Sequence, residues 1–145
     1  SIARNQFSRF EKLRSIRSEN RKKIIKSILK DKRFNNQFSF IEIPKNIKPS
    51  FMGLPIILNK KFENIKKKFI FLIEKKGLET RPIISGSFVN QPSVKLFKLN
   101  PRGERFLNAE KIQKNGFLIG LHTKKIKKKE LNFLVNKLFL IDKIG

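Results

Sequence analysis

Cysteine, tryptophan and tyrosine are absent from these 145 residues, and histidine and methionine occur once each. Without cysteine the chain can form no disulfide, thiolate zinc site or cysteine nucleophile, a composition compatible with a reducing compartment. With His122 as the sole histidine, a Ser/His/Asp triad would have to use it, and a multi-histidine metal site within one chain is excluded. Acidic residues are few and scattered, eleven in all, and no two are spaced as a catalytic pair. The longest apolar runs, such as residues 69–73, fall far short of the ~20 residues a spanning helix needs, so no membrane partner is expected. No glycine-rich loop matches the phosphate-binding or dinucleotide fingerprints.

What is abundant is positive charge. Thirty-five lysines and arginines against eleven acids give a net charge of +24. Such a charge points first to nucleic acid or another anionic surface. Lysine dominates, however, with 26 against 9 arginines, and Lys, Ile, Asn and Phe make up about half of the chain. All four have A/T-rich codons, so a biased coding sequence accounts for the composition without selection for a polyanion. The basic residues also lack the segregation and aromatic platform of single-strand binders. A free-standing basic module for RNA or an acidic protein is the competing class, and no specific nucleic-acid partner is expected.

Hydrophobic periodicity predicts a helix over residues 6–32, with Phe7, Phe10, Leu13, Ile24, Ile25 and Ile28 on one face. Arg14, Arg17 and Arg21 break the stripe. Either their stems snorkel along the core edge, or the two halves of the helix pack on different bodies and the arginines meet acidic groups or phosphate at the junction. On the second reading Phe7, Phe10 and Leu13 find little cover in this chain. Short strands are expected over residues 38–43 and 51–58. Asn59 is placed to cap a helix with Phe62, Ile65, Phe69, Leu72 and Ile73 on its inner face. Gly77 stops that helix, and residues 79–84 read as a strand whose Pro82 implies an edge position or a strand end. A polar loop over residues 85–92, a short helix or irregular stretch over 93–99, a turn over 100–103, a short helix over 108–115, a strand over 117–122 and a last helix over 127–141 complete the chain. The sum is an α/β two-layer domain, a small mixed or mostly antiparallel sheet with helices on one side, preceded by a long helix. Arg81, within the strand, is expected to be buried.

The run from Thr80 to Pro92, with Thr80, Arg81, Pro82, Gly86, Phe88, Gln91 and Pro92, resembles a pattern of the DegT/DnrJ/StrS family of pyridoxal-phosphate-dependent sugar-nucleotide enzymes, in particular its 3-dehydratase-like branch. Lys48-Pro49-Ser50-Phe51, Gly53-Leu54-Pro55, Asn108-Ala109-Glu110 and the closing Gly116 to His122 extend the match in order. Ser87 departs from the asparagine usual in that branch, Arg4 from a small residue or glycine, and Phe51-Met52 from Trp-Phe.

The resemblance implies the small C-terminal domain of a fold-type-I enzyme, with residues 1–33 as interdomain helix, residues 34–145 as the small domain, and a large cofactor-binding domain before Ser1. Beginning without methionine, the chain is expected to be a terminal piece of a longer protein. Pyridoxal phosphate is the implied cofactor of the parent, not held by this piece alone. The implied substrate is a keto-deoxyhexose nucleotide, aminated or deoxygenated at C3 in a cytoplasmic homodimer that serves cell-surface polysaccharide synthesis. Arg81, Ser87, Phe88, Asn90, Gln91 and His122 are the candidate substrate contacts, the alternatives being a structural ion pair of Arg81 with Glu79 or another acid, ordering of the loop alone, and a structural or exposed His122. The catalytic lysine or histidine belongs to the large domain, so no catalytic residue and no metal ligand is expected here.

Overall fold

The computed structural model describes residues 2–84, 86–100 and 102–144, with the side chains of Ile2, Ala3 and Gln6 outside that description. Helix α1 (Ile2–Ser8) is followed by α2 (Phe10–Leu29), in place of one unbroken helix. At the break, the Ser8 hydroxyl donates to the carbonyl of Asn5 at 2.9 Å, a back-bond that bends helices. Strand β1 (Phe38–Phe40) is half the predicted length, and β2 (Gly53–Leu58) starts two residues late. Asn59 caps as expected, its side chain accepting from the Lys61 N–H at 3.2 Å, but the first turns over Lys60–Ile65 are 3-10 before α3 (Lys66–Lys75) begins.

Helix α3 ends as its sequence dictates. Gly77 takes φ +85°, its N–H donates to Glu74, and the Leu78 N–H reaches back to the carbonyl of Ile73 at 2.9 Å. That pair of bonds is the Schellman arrangement, open to glycine because a Cβ disfavours positive φ. After β3 (Thr80–Arg81) come α4 (Pro92–Leu96), α5 (Leu107–Asn115), β4 (Gly116–Gly120), α6 (Lys128–Leu138) and a terminal 3-10 turn over Phe139–Lys143.

The four strands form one antiparallel sheet in the order β1-β2-β4-β3. Pairing of Leu54 with Ile119 and of Ile56 with Phe117 stacks the buried side chains of β2 and β4 on one face. There α2, α3 and α6 cover them: Ile24, Ile28, Phe69, Ile73, Leu134 and Leu138 join the same core. Phe69 meets Phe117 edge-on at 5.9 Å between ring centres, and Phe38 meets Phe139 likewise at 5.8 Å. On the other face Pro55, Ile57 and Leu118 remain half-exposed.

One buried polar residue ties the layers together. The Asn20 amide donates to the carbonyls of His122 and Lys124, at 3.1 and 2.8 Å, and its oxygen accepts from the Ile126 N–H at 2.9 Å. Three hydrogen bonds on a side chain with 1% exposure fix the segment leaving β4 against the middle of α2.

Candidate functional site

Strand β3 determines where Arg81 goes. The expected six-residue strand stops after two, because Pro82 offers no N–H and Ile84 turns into the left-handed region at φ +46°. As Pro82 implied, β3 lies at the sheet edge. Arg81 is therefore not buried: its side chain is 74% exposed and pairs with Glu79 at 3.2 Å. Opposite Leu118 in the register, it shares with His122, Met52 and Leu78 the lining of a cavity of about 470 Å³ at the end of the sheet. His122, itself exposed, accepts at Nδ1 from the Lys124 N–H at 3.1 Å, which leaves Nε2 as the free polar atom of the ring.

The loop candidates gather elsewhere. Ser87 and Phe88 line a second cavity of about 440 Å³ with Leu99, Asn100, Glu104 and Phe106. Ser87 is fully buried, its Oγ without a partner among the described residues, whereas Phe88 is exposed. Asn90 donates to Gln113 Oε1 at 3.3 Å, and Gln91 follows it, its backbone N–H bonded to Phe88. The six candidates thus fall into an Arg81–His122 pair and a loop group.

Gln113 organises the loop and was not legible in the sequence. Its Oε1 accepts from both the Ser87 N–H and Asn90, and its carbonyl accepts from Lys66 Nζ at 2.9 Å. Burial holds the Lys66 ammonium below the usual lysine range. A Cβ at Gly86 would lie 2.8 Å from the Gln113 side chain, and Gly86 has φ +69°, so the close approach needs glycine twice over. Nothing in the spacing of a glutamine on α5 announces a loop some 25 residues upstream.

Among the described residues no group of three His, Cys, Asp or Glu can hold a metal ion, and no helix is long and apolar enough to cross a membrane.

A four-stranded antiparallel sheet with α2, α3 and α6 packed on one face is the architecture of the C-terminal part of fold-type-I pyridoxal-phosphate enzymes, as the sequence resemblance implied. Among solved structures the chain is similar to the E. coli GDP-4-keto-6-deoxy-D-mannose-3-dehydratase with bound hydrated PLP, at 25% identity and a TM-score of 0.72 over 92% of this chain and 33% of that one. The chain is likewise similar to the H188N mutant of GDP-4-keto-6-deoxymannose-3-dehydratase (ColD) with bound GDP-perosamine, at 25% identity and a TM-score of 0.73 over the same shares. Helicobacter pylori PseC, an aminotransferase involved in pseudoaminic acid biosynthesis, shares the fold at 17% identity, with a TM-score of 0.66 over 88% of this chain and 32% of its own. The chain therefore spans about a third of the length of these neighbours. No family model and no curated protein sequence matches it.

The residues of the Arg81–His122 cavity do not make a pyridoxal phosphate cradle. That cofactor calls for an acid at its ring nitrogen and several donors for its phosphate. The one carboxylate of this cavity, Glu79, is paired with Arg81, and apart from these two and His122 the lining side chains are apolar.

Proposed function

We propose that this chain is the small domain of a pyridoxal-phosphate-dependent sugar-nucleotide enzyme, an aminotransferase or 3-dehydratase, and that it closes over a keto-deoxyhexose nucleotide held by a large domain. Arg81 carries the reading. A guanidinium on an edge strand, solvent-facing and tied only to an equally exposed carboxylate, is free to turn its planar fork to phosphate or sugar oxygens. His122 lines the same cavity and supplies a second polar atom there.

Residues 1–33 would bridge the two domains and residues 34–145 form the small one. Exposed apolar side chains support a missing neighbour: Phe7 and Phe10 stack at 6.5 Å in solvent, and Ile84, Leu96, Phe97 and Leu107 are each more than two-thirds exposed. We assign the parent to a cytoplasmic homodimer in the synthesis of cell-surface polysaccharide sugars, with Phe88, Asn90 and Gln91 at the rim of the substrate mouth and Ser87, buried, holding that loop from within.

A chimera tests this reading. The C-terminal third of the E. coli 3-dehydratase is replaced by this chain, and cofactor absorbance and turnover are measured. The expected product binds pyridoxal phosphate and turns over, and Arg81→Ala lowers its kcat/KM roughly 10- to 100-fold, as for loss of a charge-assisted substrate contact. A chimera that folds and holds cofactor but does not turn over, or one indifferent to Arg81→Ala, would overturn the proposal.

A further inference from the structure

The three arginines that interrupt the apolar stripe of α2 meet three different fates. Arg14 pairs with Glu11 at 2.5 Å. Arg17 keeps a buried Nε for which no acceptor exists among the described residues. Arg21 donates one arm to the carbonyl of Ile41 and lies over the Phe51 ring at 4.9 Å, with its own Nε also buried and unpartnered. Burial depresses the Arg21 guanidinium below its ordinary value, so the fold exerts work to keep this charge where it is.

Arg21 lines a groove of about 450 Å³ between α2 and the loop over residues 43–51. Helical spacing sets Arg14, Ser18 and Lys22 on the same wall, one turn apart. Lys45 and Lys48 face them from the loop, and no carboxylate lines the groove. The one acid bonded to any of these cations, Glu11, is already engaged by Arg14. Five cations and two hydroxyls, Ser15 and Ser18, thus surround a space with no counter-charge in its walls.

We propose that this groove is a phosphate-binding site, in which Arg21, Lys22, Lys45 and Lys48 hold a phosphate group of a small molecule and Ser18 donates its hydroxyl. A tetrahedral dianion takes donors from several directions at once, whereas a planar carboxylate is satisfied by one guanidinium fork. The occupant is a small molecule because of the groove's volume, and because the one aromatic face, Phe51, is already covered by Arg21 and offers no platform for base stacking. The proposal does not rest on the enzymatic reading.

The test is an NMR titration of the ¹⁵N-labelled 145-residue chain with inorganic phosphate, and in a second arm with a nucleoside diphosphate, at constant ionic strength. Saturable shifts are expected at Ser18, Arg21, Lys45 and Lys48. Lys45→Gln with Lys48→Gln, both on an exposed loop, should weaken binding roughly tenfold, as for two charge-assisted contacts. Lys67→Gln with Lys68→Gln on the exposed side of α3 should leave it unchanged. Tighter binding of the nucleotide would identify it as the source of the phosphate; equal binding would assign free phosphate. Shifts that never saturate, that spread equally to the lysine runs at 66–68 and 124–129, or that persist undiminished in the Lys45/Lys48 variant would overturn the site. A short RNA that displaces phosphate and binds more tightly than either small molecule would overturn the small-molecule assignment.

Discussion

The two ends of the first helical run carry the same kind of side chain and have opposite surroundings. Ile24 and Ile28 of α2 are 2% and 0% exposed beneath the sheet, while Phe7 is 82% exposed and Phe10 42%, with Leu13 half-buried between them. Hydrophobic pattern is a property of the helix, but burial belongs to whatever lies opposite it. The C-terminal half faces β2, β4 and α6; Phe7, Phe10 and Leu13 have no place in that core, and the ring contact of the two phenylalanines is with each other. An apolar stripe that outruns its cover is what the proposed interdomain helix would offer to a second body.

The largest expected effect lies in the covered half. Ile28→Ala should cost about 3 kcal/mol of unfolding free energy in a urea titration, the range for emptying a tightly packed core site. A loss below about 1 kcal/mol would mean that this half is not the packed end. At the boundary, Asn20→Ala removes three hydrogen bonds and strands two carbonyls and an N–H in the interior. About 2 kcal/mol is expected, with faster amide exchange at Ile126.

The exit of α2 supplies a pH test. Arg33 grips Asp31 through two bonds of 2.8 and 2.7 Å and bridges to Asn136 on α6. The Arg33 guanidinium lowers the Asp31 carboxyl from 3.8 to about 2. A carboxyl whose folded pKa lies below its unfolded one stabilises the fold above the unfolded value, and that stabilisation fades as pH falls from 3.8 through about 2. Asp31→Asn should flatten the acid limb of a stability–pH curve over that window.

The smallest effect is expected at the uncovered end. Phe7→Ala and Phe10→Ala should each change the stability of this chain by no more than about 0.5 kcal/mol. A loss above about 1.5 kcal/mol for either, the value of burying a large apolar side chain, would show that α1 is covered in solution and would erase the contrast.

Much of the local structure was legible because it is encoded locally. The Gly77 stop followed from a residue that tolerates positive φ, the edge position of β3 from a proline that cannot donate, and the inner faces of α3 and α6 from the period of Phe69, Ile73, Leu134 and Leu138. Arg81 was misplaced for a related reason: alternation predicts which side of a strand a residue takes, but not how soon the strand ends. Phe139 was overlooked because the helical period fails where α6 tightens into a 3-10 turn and rotates that ring inward.

By itself, then, the sequence determined where the main helices and the central strands lie, though not where each begins and ends, which face of each helix seeks cover, and the order of motifs that gives the chain its family resemblance. These depend on neighbours within a few residues, where backbone sterics and side-chain period act. Tertiary structure alone decided that Asn20 holds the segment after β4, that Gln113 shapes the Gly86 loop, that Arg81 and His122 share a cavity apart from Ser87 and Phe88, and that one end of the first helical run is covered and the other bare. Each of those facts joins residues far apart in the chain, and only the packed sheet and helices bring such residues within hydrogen-bonding or van der Waals reach.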